Sequence, residues 1–253
     1  MLSVDAAATL ACIYEATAPK PGNVHPGASF DDATCYAAFV QSAVAIGPFL
    51  RHAWTAGVGQ TVLDCVQITQ QVVGTNTNLG TILLLAPLAA VPEAQSLTDG
   101  IAEVLSKLTA HDTRCAYEAI AASRAGGLGR AAEADVFDPD PPAISLVEAM
   151  RLAADRDLIA RQYVNNFATV SQIAAWIEEE CAQSSNFSEA IILAQLRTLA
   201  SYPDSLICRK CGAEIAREAS QRAADVMAAG RPREPAYERA LENLDHWLRA
   251  DGH

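Results

Sequence analysis

Apolar residues recur at helical spacing along almost the whole chain, and the interruptions in that pattern carry most of the polar chemistry. Residues 3–17 place Leu10, Ile13 and Tyr14 on one face of a helix. A second helix runs through Tyr36, Ala37, Val40, Val44 and Ala45, until Gly47-Pro48 kinks or ends it. Residues 60–73 form a third, through Val62, Cys65, Val66 and Val73, which stops at Gly74. The apolar run 81–90 and the stretch 97–109, with Ile101, Val104, Leu105 and Leu108, continue the pattern, and Asp112 caps a helix running to Arg124. Ser145-x-x-Glu148 is a capping box that opens one long helix through Ala149, Ala153 and Ala160. After a turn at Asn165 or Asn166, helices follow through Phe167 to Cys181 and from Asn186 to Leu199. A long helix over 205–229 ends at Gly230 and Pro232, and Pro235–Ala250 forms an amphipathic last helix. No stretch alternates with period two. The expectation is an all-α protein, a single compact domain over residues 1–253 with roughly ten helices.

The breaks are richer than plain connections require. Residues 15–32 hold Pro19, Pro21, Pro26, Gly22 and Gly27, a composition that makes a stiff, irregular loop. Glu15, Lys20, Asn23, His25, Ser29, Asp31 and Asp32 lie along it; Ser29-x-x-Asp32 fits a capping box for the next helix. The segment Gly74-Thr-Asn-Thr-Asn-Leu-Gly80 favours caps and turns, and predicts a helix N-terminus with N–H groups suited to phosphate. Asp155-Arg156-Asp157 falls in the middle of an otherwise apolar helix, and Tyr202-Pro-Asp204 stops another. Gly126-Gly-Leu-Gly129 lacks the preceding strand of a dinucleotide-binding turn. Residues 134–143, rich in Pro and Asp, form a loop within the domain.

Composition narrows the function. Of 253 residues, 51% are hydrophobic and only 6% aromatic, which suits closely packed Ala-rich helices. A net charge of −12 argues against nucleic acid as a partner. It leaves room for an anionic small ligand held by a few cations or a bridging Mg²⁺. The seven cysteines are scattered and read as reduced core residues of a cytoplasmic protein. Cys208-x-x-Cys211 has no second pair to complete a zinc site. No signal peptide and no membrane span are expected. The Ala-rich face of 205–229 could serve a homodimer as well as a core.

Four polar clusters therefore stand out: Glu15, Lys20, Asn23 and Asp31; Thr75, Asn76, Thr77 and Asn78; Arg156 and Asp157; Asp204, Arg209 and Lys210. Carboxylates, Asn and cations near helix ends suit a Mg–polyphosphate ligand. No Ser-His-Asp or Cys-His arrangement is evident, and His25 and His111 stand alone.

Lys20-Pro-Gly22, Gly27-Ala-Ser-Phe-Asp31, Gly74-x-Asn-Thr-x-x-Gly80 and Pro203-Asp-Ser-Leu-Ile207, in that order, resemble the triphosphoribosyl-dephospho-CoA synthase family. The resemblance covers nearly the whole chain. It implies an all-α enzyme that moves the triphosphoribosyl group of ATP to the 2′-hydroxyl of dephospho-CoA and releases adenine. The product is the precursor of the prosthetic group of citrate lyase or malonate decarboxylase acyl-carrier subunits. Better-known members carry His and Lys where this chain has Asn78 and Leu79, His where it has Ser29, and His-Arg-Gly-Gly where it has Arg209-Lys-Cys-Gly212. The chain is thus a divergent branch, and the departures bear on the acceptor more than on the donor. A nucleotide-dependent transferase acting on a methanopterin-type one-carbon cofactor precursor, and a non-catalytic nucleotide-binding helical protein, remain as alternatives.

The resemblance implies substitution at C1′ of the ATP ribose. Carboxylates there would stabilise the developing charge and deprotonate the incoming hydroxyl. Glu15, Asp31 and Asp157 are the candidate catalytic carboxylates, with Glu15 and Asp31 also candidate Mg²⁺ ligands. Lys20, Arg209 and Lys210 would contact phosphate, and Asn23, Asn76, Thr77, Asn78 and Asp204 would bind or orient the substrate.

Overall fold

A computed structural model describes residues 2–124, 136, 142–184 and 186–250. Fourteen helices and no strand are found among them: α1 (Val4–Thr17), α2 (Tyr36–Arg51), α3 (Ala53–Ala56), α4 (Val58–Val73), α5 (Leu79–Ala89), α6 (Leu97–Ser106), α7 (Ala110–Ser123), α8 (Leu146–Arg151), α9 (Leu158–Val164), α10 (Ala168–Gln183), α11 (Phe187–Ser201), α12 (Ser205–Cys211), α13 (Ala213–Ala228) and α14 (Pro235–Ala250). The all-α expectation holds. The Gly126–Gly129 turn and most of the 134–143 loop lie outside the described residues.

The helix count exceeds ten because two long stretches are divided, each for a local reason, and because the short α3 follows α2. The helix opened by Ser145 ends at Arg151, and Asp157 starts a new one by accepting from the N–H groups of Ile159 and Ala160 at 2.9 and 3.0 Å. Asp157 is therefore a helix cap and not a mid-helix charge, in keeping with the preference of Asp for that position. The 205–229 stretch is split by Gly212, whose φ of 96° and ψ of 162° belong to backbone open almost only to glycine.

Two helix boundaries also differ from the pattern reading. The capping box at Ser29 and Asp32 does not form. Asp31 instead accepts from the Thr34 N–H at 2.5 Å, and this local turn delays the helix to Tyr36, with Cys35 at the cap position making no side-chain cap bond. At its far end α2 continues through Gly47-Pro48 to Arg51. A Cβ on Gly47 would stand 2.8 Å from the Thr9 hydroxyl, so the bare glycine lets α1 lie close against this turn. Asp112 is the third residue of α7, not its cap: Thr109 caps, and the Asp112 carboxylate returns to the Thr109 N–H at 2.8 Å to complete a capping box.

Contacts group the chain into two compact units. The first comprises Met1–Ile13 and Asp31–Thr169, the second Tyr14–Phe30 and Val170–His253. In the first, α4 is the central helix and packs against α2, α5 and α7. Val58, Val62, Leu63, Cys65 and Val66 are all buried. Burying each of these Val and Leu side chains stabilises by about 1.5–3 kcal/mol. Gly59 allows α7 to cross closely: an added Cβ would meet the Asp112 Cα at 2.4 Å, and the Gly59 N–H donates to the Asp112 carboxylate at 2.9 Å. In the second unit, small residues on α13 (Ala216, Ala219, Ala223) lie against α11 and α14. Leu196, Leu199, Val226, Tyr237, Leu244 and Leu248 complete that cluster, which also takes in Ala18 of the Pro-rich loop and Ile207 of α12.

Candidate functional site

The loop after α1 is irregular, as its prolines and glycines predict, and is closed by its own hydrogen bonds. Gly22 has φ +74° and the loop closes on itself through Asn23 N–H to Lys20 C=O at 3.1 Å. His25 and Ala28 exchange two backbone hydrogen bonds of 3.0 Å. Lys20 is 95% withdrawn from solvent, with relative exposure of 5%. A buried ammonium must be paired, and this one is: it bridges to the Glu15 carboxylate at 2.9 Å and also donates to the Glu15 carbonyl. Glu15 sits in the last turn of α1 with its side chain half exposed. The pair thus presents a carboxylate to solvent on a cation that cannot wander. Asn23 donates from its side chain to the Pro21 carbonyl at 3.2 Å. His25 accepts from the Gly27 N–H at 3.1 Å through Nδ1. Partial burial, then the nearby Arg249 guanidinium, hold the His25 imidazole below its usual pKa.

Two polar residues that the sequence pattern did not single out fix this loop. Asp245 accepts from the Gly22 N–H at 2.8 Å, and Arg249 donates to the Asn23 carbonyl. Both stand on α14, and they pair with each other at 2.8 Å. An acidic and a basic residue four apart on a helix were visible in sequence, but only as an ordinary surface pair.

In the first unit, residues 74–80 form the helix start expected of them. Asn76 accepts from the Leu79 N–H at 3.0 Å, and Asn78 stands at the cap position of α5 without a side-chain cap bond. Thr77 donates to Ser42 at 2.8 Å, and Thr69 donates to the Asn78 side-chain oxygen at 3.4 Å. Ser42 and Thr69 are buried, so the turn stands on a polar base inside an apolar unit. The Asn78 amide nitrogen is buried and meets no acceptor. A Cβ on Gly80 would lie 2.7 Å from Ile159, so the first turns of α5 and α9 abut. The structure therefore brings Asn76 and Asn78 close to the helix start that Asp157 caps. Asp31 is exposed at the beginning of this unit. Arg156 is exposed and donates to the Leu152 carbonyl at 3.0 Å.

On α12, Asp204 accepts from the Leu206 and Ile207 N–H groups at 2.7 and 3.0 Å. Arg209 and Lys210 are exposed in the last turn, where cations complement the helix dipole. Among the described residues no three His, Cys, Asp or Glu side chains gather into a metal-holding group. The donors present fit Mg²⁺ only in the mode in which one or two carboxylates and substrate phosphates share it; Glu15, half exposed, and Asp31 are of that kind. All seven cysteines are free, and burial raises the Cys65 thiol to about 12. Among the described residues no helix is long and apolar enough to cross a membrane.

A search of curated proteins finds no match. A solved structure from Archaeoglobus fulgidus, provisionally assigned as a triphosphoribosyl-dephospho-CoA synthase, superposes with a TM-score of 0.65. It is 24% identical, and the match spans 85% of this chain and 89% of that one; at this identity the likeness shows a shared fold. The family model for CitG, ATP:dephospho-CoA triphosphoribosyl transferase, matches residues 1–253. With that match over its full length, the chain belongs to the CitG family and is a transferase that moves the triphosphoribosyl group of ATP to dephospho-CoA.

Proposed function

We propose that the chain performs this transfer on Mg–ATP, with the α1 loop as its working part. The observation that carries the reading is the Glu15–Lys20 pair: a half-exposed carboxylate anchored on a buried ammonium within the loop motif that the family resemblance singles out. In the second unit, Glu15 is the carboxylate that takes up the proton of the attacking hydroxyl or helps hold the phosphate-bound ion. Lys20 fixes its position and turns its remaining donor toward phosphate. Asn23 lines the same loop. In the first unit, Asp157 and Asp31 are the candidate carboxylates for the positive charge that develops on the ribose as adenine departs. Asn76, Thr77 and Asn78 stand at the N-terminus of α5, a helix end suited to an anionic group. Asp204, Arg209 and Lys210 supply a further anion-binding end on α12. When bound, Mg²⁺ would neutralise the triphosphate and hold it in one orientation.

The bond from C1′ to adenine breaks with its electron pair going to the adenine nitrogen, the bond from C1′ to the acceptor oxygen forms, and the hydroxyl proton passes by way of a carboxylate to the departing adenine. The setting is the cytoplasm, in line with seven free cysteines and with the soluble substrates, and a homodimer through an Ala-rich helix face is the proposed assembly. Nucleic acid is no part of the reading, given the net charge of −12.

The test is a steady-state comparison of Glu15→Gln and Asp31→Asn with the wild type, alongside ATP titration by calorimetry with and without Mg²⁺. Removing an acid–base group costs about 10²–10⁴-fold in kcat. Retention of kcat within about twofold by both variants would remove these residues from the reaction.

A further inference from the structure

One ion pair near the C-terminal end of α14 is committed to the backbone of the α1 loop and not to the surface. Asp245 accepts the Gly22 N–H at 2.8 Å; Arg249, one helical turn on, donates to the Asn23 carbonyl. The Arg249 Nε reaches both Asp245 oxygens, at 2.8 and 2.9 Å. The side chains are 20% and 35% exposed, so the arrangement is partly withdrawn from water and correspondingly stronger than a free surface pair. Leu248 lies between them, 2.9 Å from where a Gly22 Cβ would be, and the Arg249 guanidinium sits 5.7 Å above the Phe30 ring at the far end of the loop. On its other side the turn continues into Lys20, whose ammonium is paired with Glu15. The contacts form an unbroken series from α14, through the peptide groups of Gly22 and Asn23, to Lys20 and the Glu15 carboxylate.

We propose that Asp245 and Arg249 are positioning residues of the transferase: by gripping an N–H and a C=O of adjacent loop residues, they set the turn that places Lys20 and, through it, Glu15. The inference rests on the reading of Glu15 and Lys20 given under Proposed function. It assigns the C-terminal helix a part in the reaction although neither residue touches substrate.

The experiment compares Asp245→Leu, Asp245→Asn, Arg249→Met and Arg249→Lys by adenine release under varied ATP, at a temperature where circular dichroism shows every variant folded. Asp245→Leu and Arg249→Met each remove a charge-assisted hydrogen bond to the loop, and kcat/KM for ATP is expected to fall about 10- to 100-fold. Asp245→Asn keeps an acceptor for the Gly22 N–H, and most of the activity should return. A part confined to stability would lower the melting temperature but leave kcat/KM of the folded protein unchanged. Should Asp245→Leu fail to fold, Arg249→Met carries the test, because its stem preserves the packing against the loop. Glu15→Gln and Lys20→Met are assayed in parallel. If those two lose activity and the α14 variants stay within about twofold of the wild type, the positioning role is overturned. If Glu15→Gln and Lys20→Met also keep full activity, the loop itself is not the site, and both readings fall.

Discussion

Gly22→Ala tests how closely the α1 loop is fitted to α14. Two costs add. The residue has φ +74°, and holding an L side chain in left-handed backbone costs about 1–2 kcal/mol. The new Cβ would stand 2.9 Å from the Leu248 Cβ and 3.0 Å from its Cδ1, and Leu248 is buried in the core cluster of the second unit. Overpacking of that kind costs about 1–3 kcal/mol. The sum, about 2–5 kcal/mol, is comparable with the two hydrogen bonds that hold the loop to Asp245 and Arg249, at about 1.5–3 kcal/mol each. The loop should therefore lift away from α14 in part, with loss of both stability and ATP turnover. Gly74→Ala is the control. Its φ is +72°, but no atom lies within 4 Å of the added Cβ, so only the backbone cost of about 1–2 kcal/mol applies. Thermal denaturation followed by circular dichroism, at about 2–4 °C per kcal/mol for a chain of this size, should show Gly22→Ala melting several degrees below Gly74→Ala. Equal melting temperatures would mean that Leu248 does not press on this turn, and the description of the loop would be wrong.

Other consequences are checked in the same way. Asp112→Ala removes a capping box and leaves the Gly59 N–H without its acceptor; the loss should be about 2–4 kcal/mol by urea denaturation, from a cap worth about 1 and an orphaned donor worth about 1–3. Asp157→Asn keeps the cap of α9, because Asn serves that position nearly as well as Asp; the melting temperature should hold, while kcat falls about 10²-fold if the carboxylate serves the ribose. Asp157→Ala should lose kcat and also about 1 kcal/mol of stability. The depressed imidazole of His25 means that the unfolded chain binds its proton first as pH falls below 6.5. That contribution to stability is present above pH 6.5 and lost below it; His25→Asn, which retains an acceptor for the Gly27 N–H, should weaken the loss between pH 7.5 and 5.5 measured by denaturant titration.

Local chemistry was legible where a single turn decides the outcome. The irregular course of the loop follows from its prolines and glycines, the helix start at Asn76 and Asn78 from their side chains, and the all-α fold from helical periodicity without alternation. What escaped the sequence has two causes. At Asp157, Gly212 and Asp31 the pattern supported more than one local structure, and capping or left-handed backbone won over continuation of an apolar stripe. At Asp245 and Arg249 the partners lie more than 220 residues away along the chain, and no spacing rule reaches that far. The motif residues themselves were found by resemblance; their mutual geometry, such as the burial of Lys20 against Glu15, required the fold.

The most direct measurement is incubation of the purified protein with ATP, Mg²⁺ and dephospho-CoA, with free adenine and the mass of the CoA product followed together. The account predicts stoichiometric adenine and a product heavier than dephospho-CoA by a triphosphoribosyl group, both lost in Glu15→Gln. Absence of adenine and of adduct, from a folded protein that binds ATP, would contradict it.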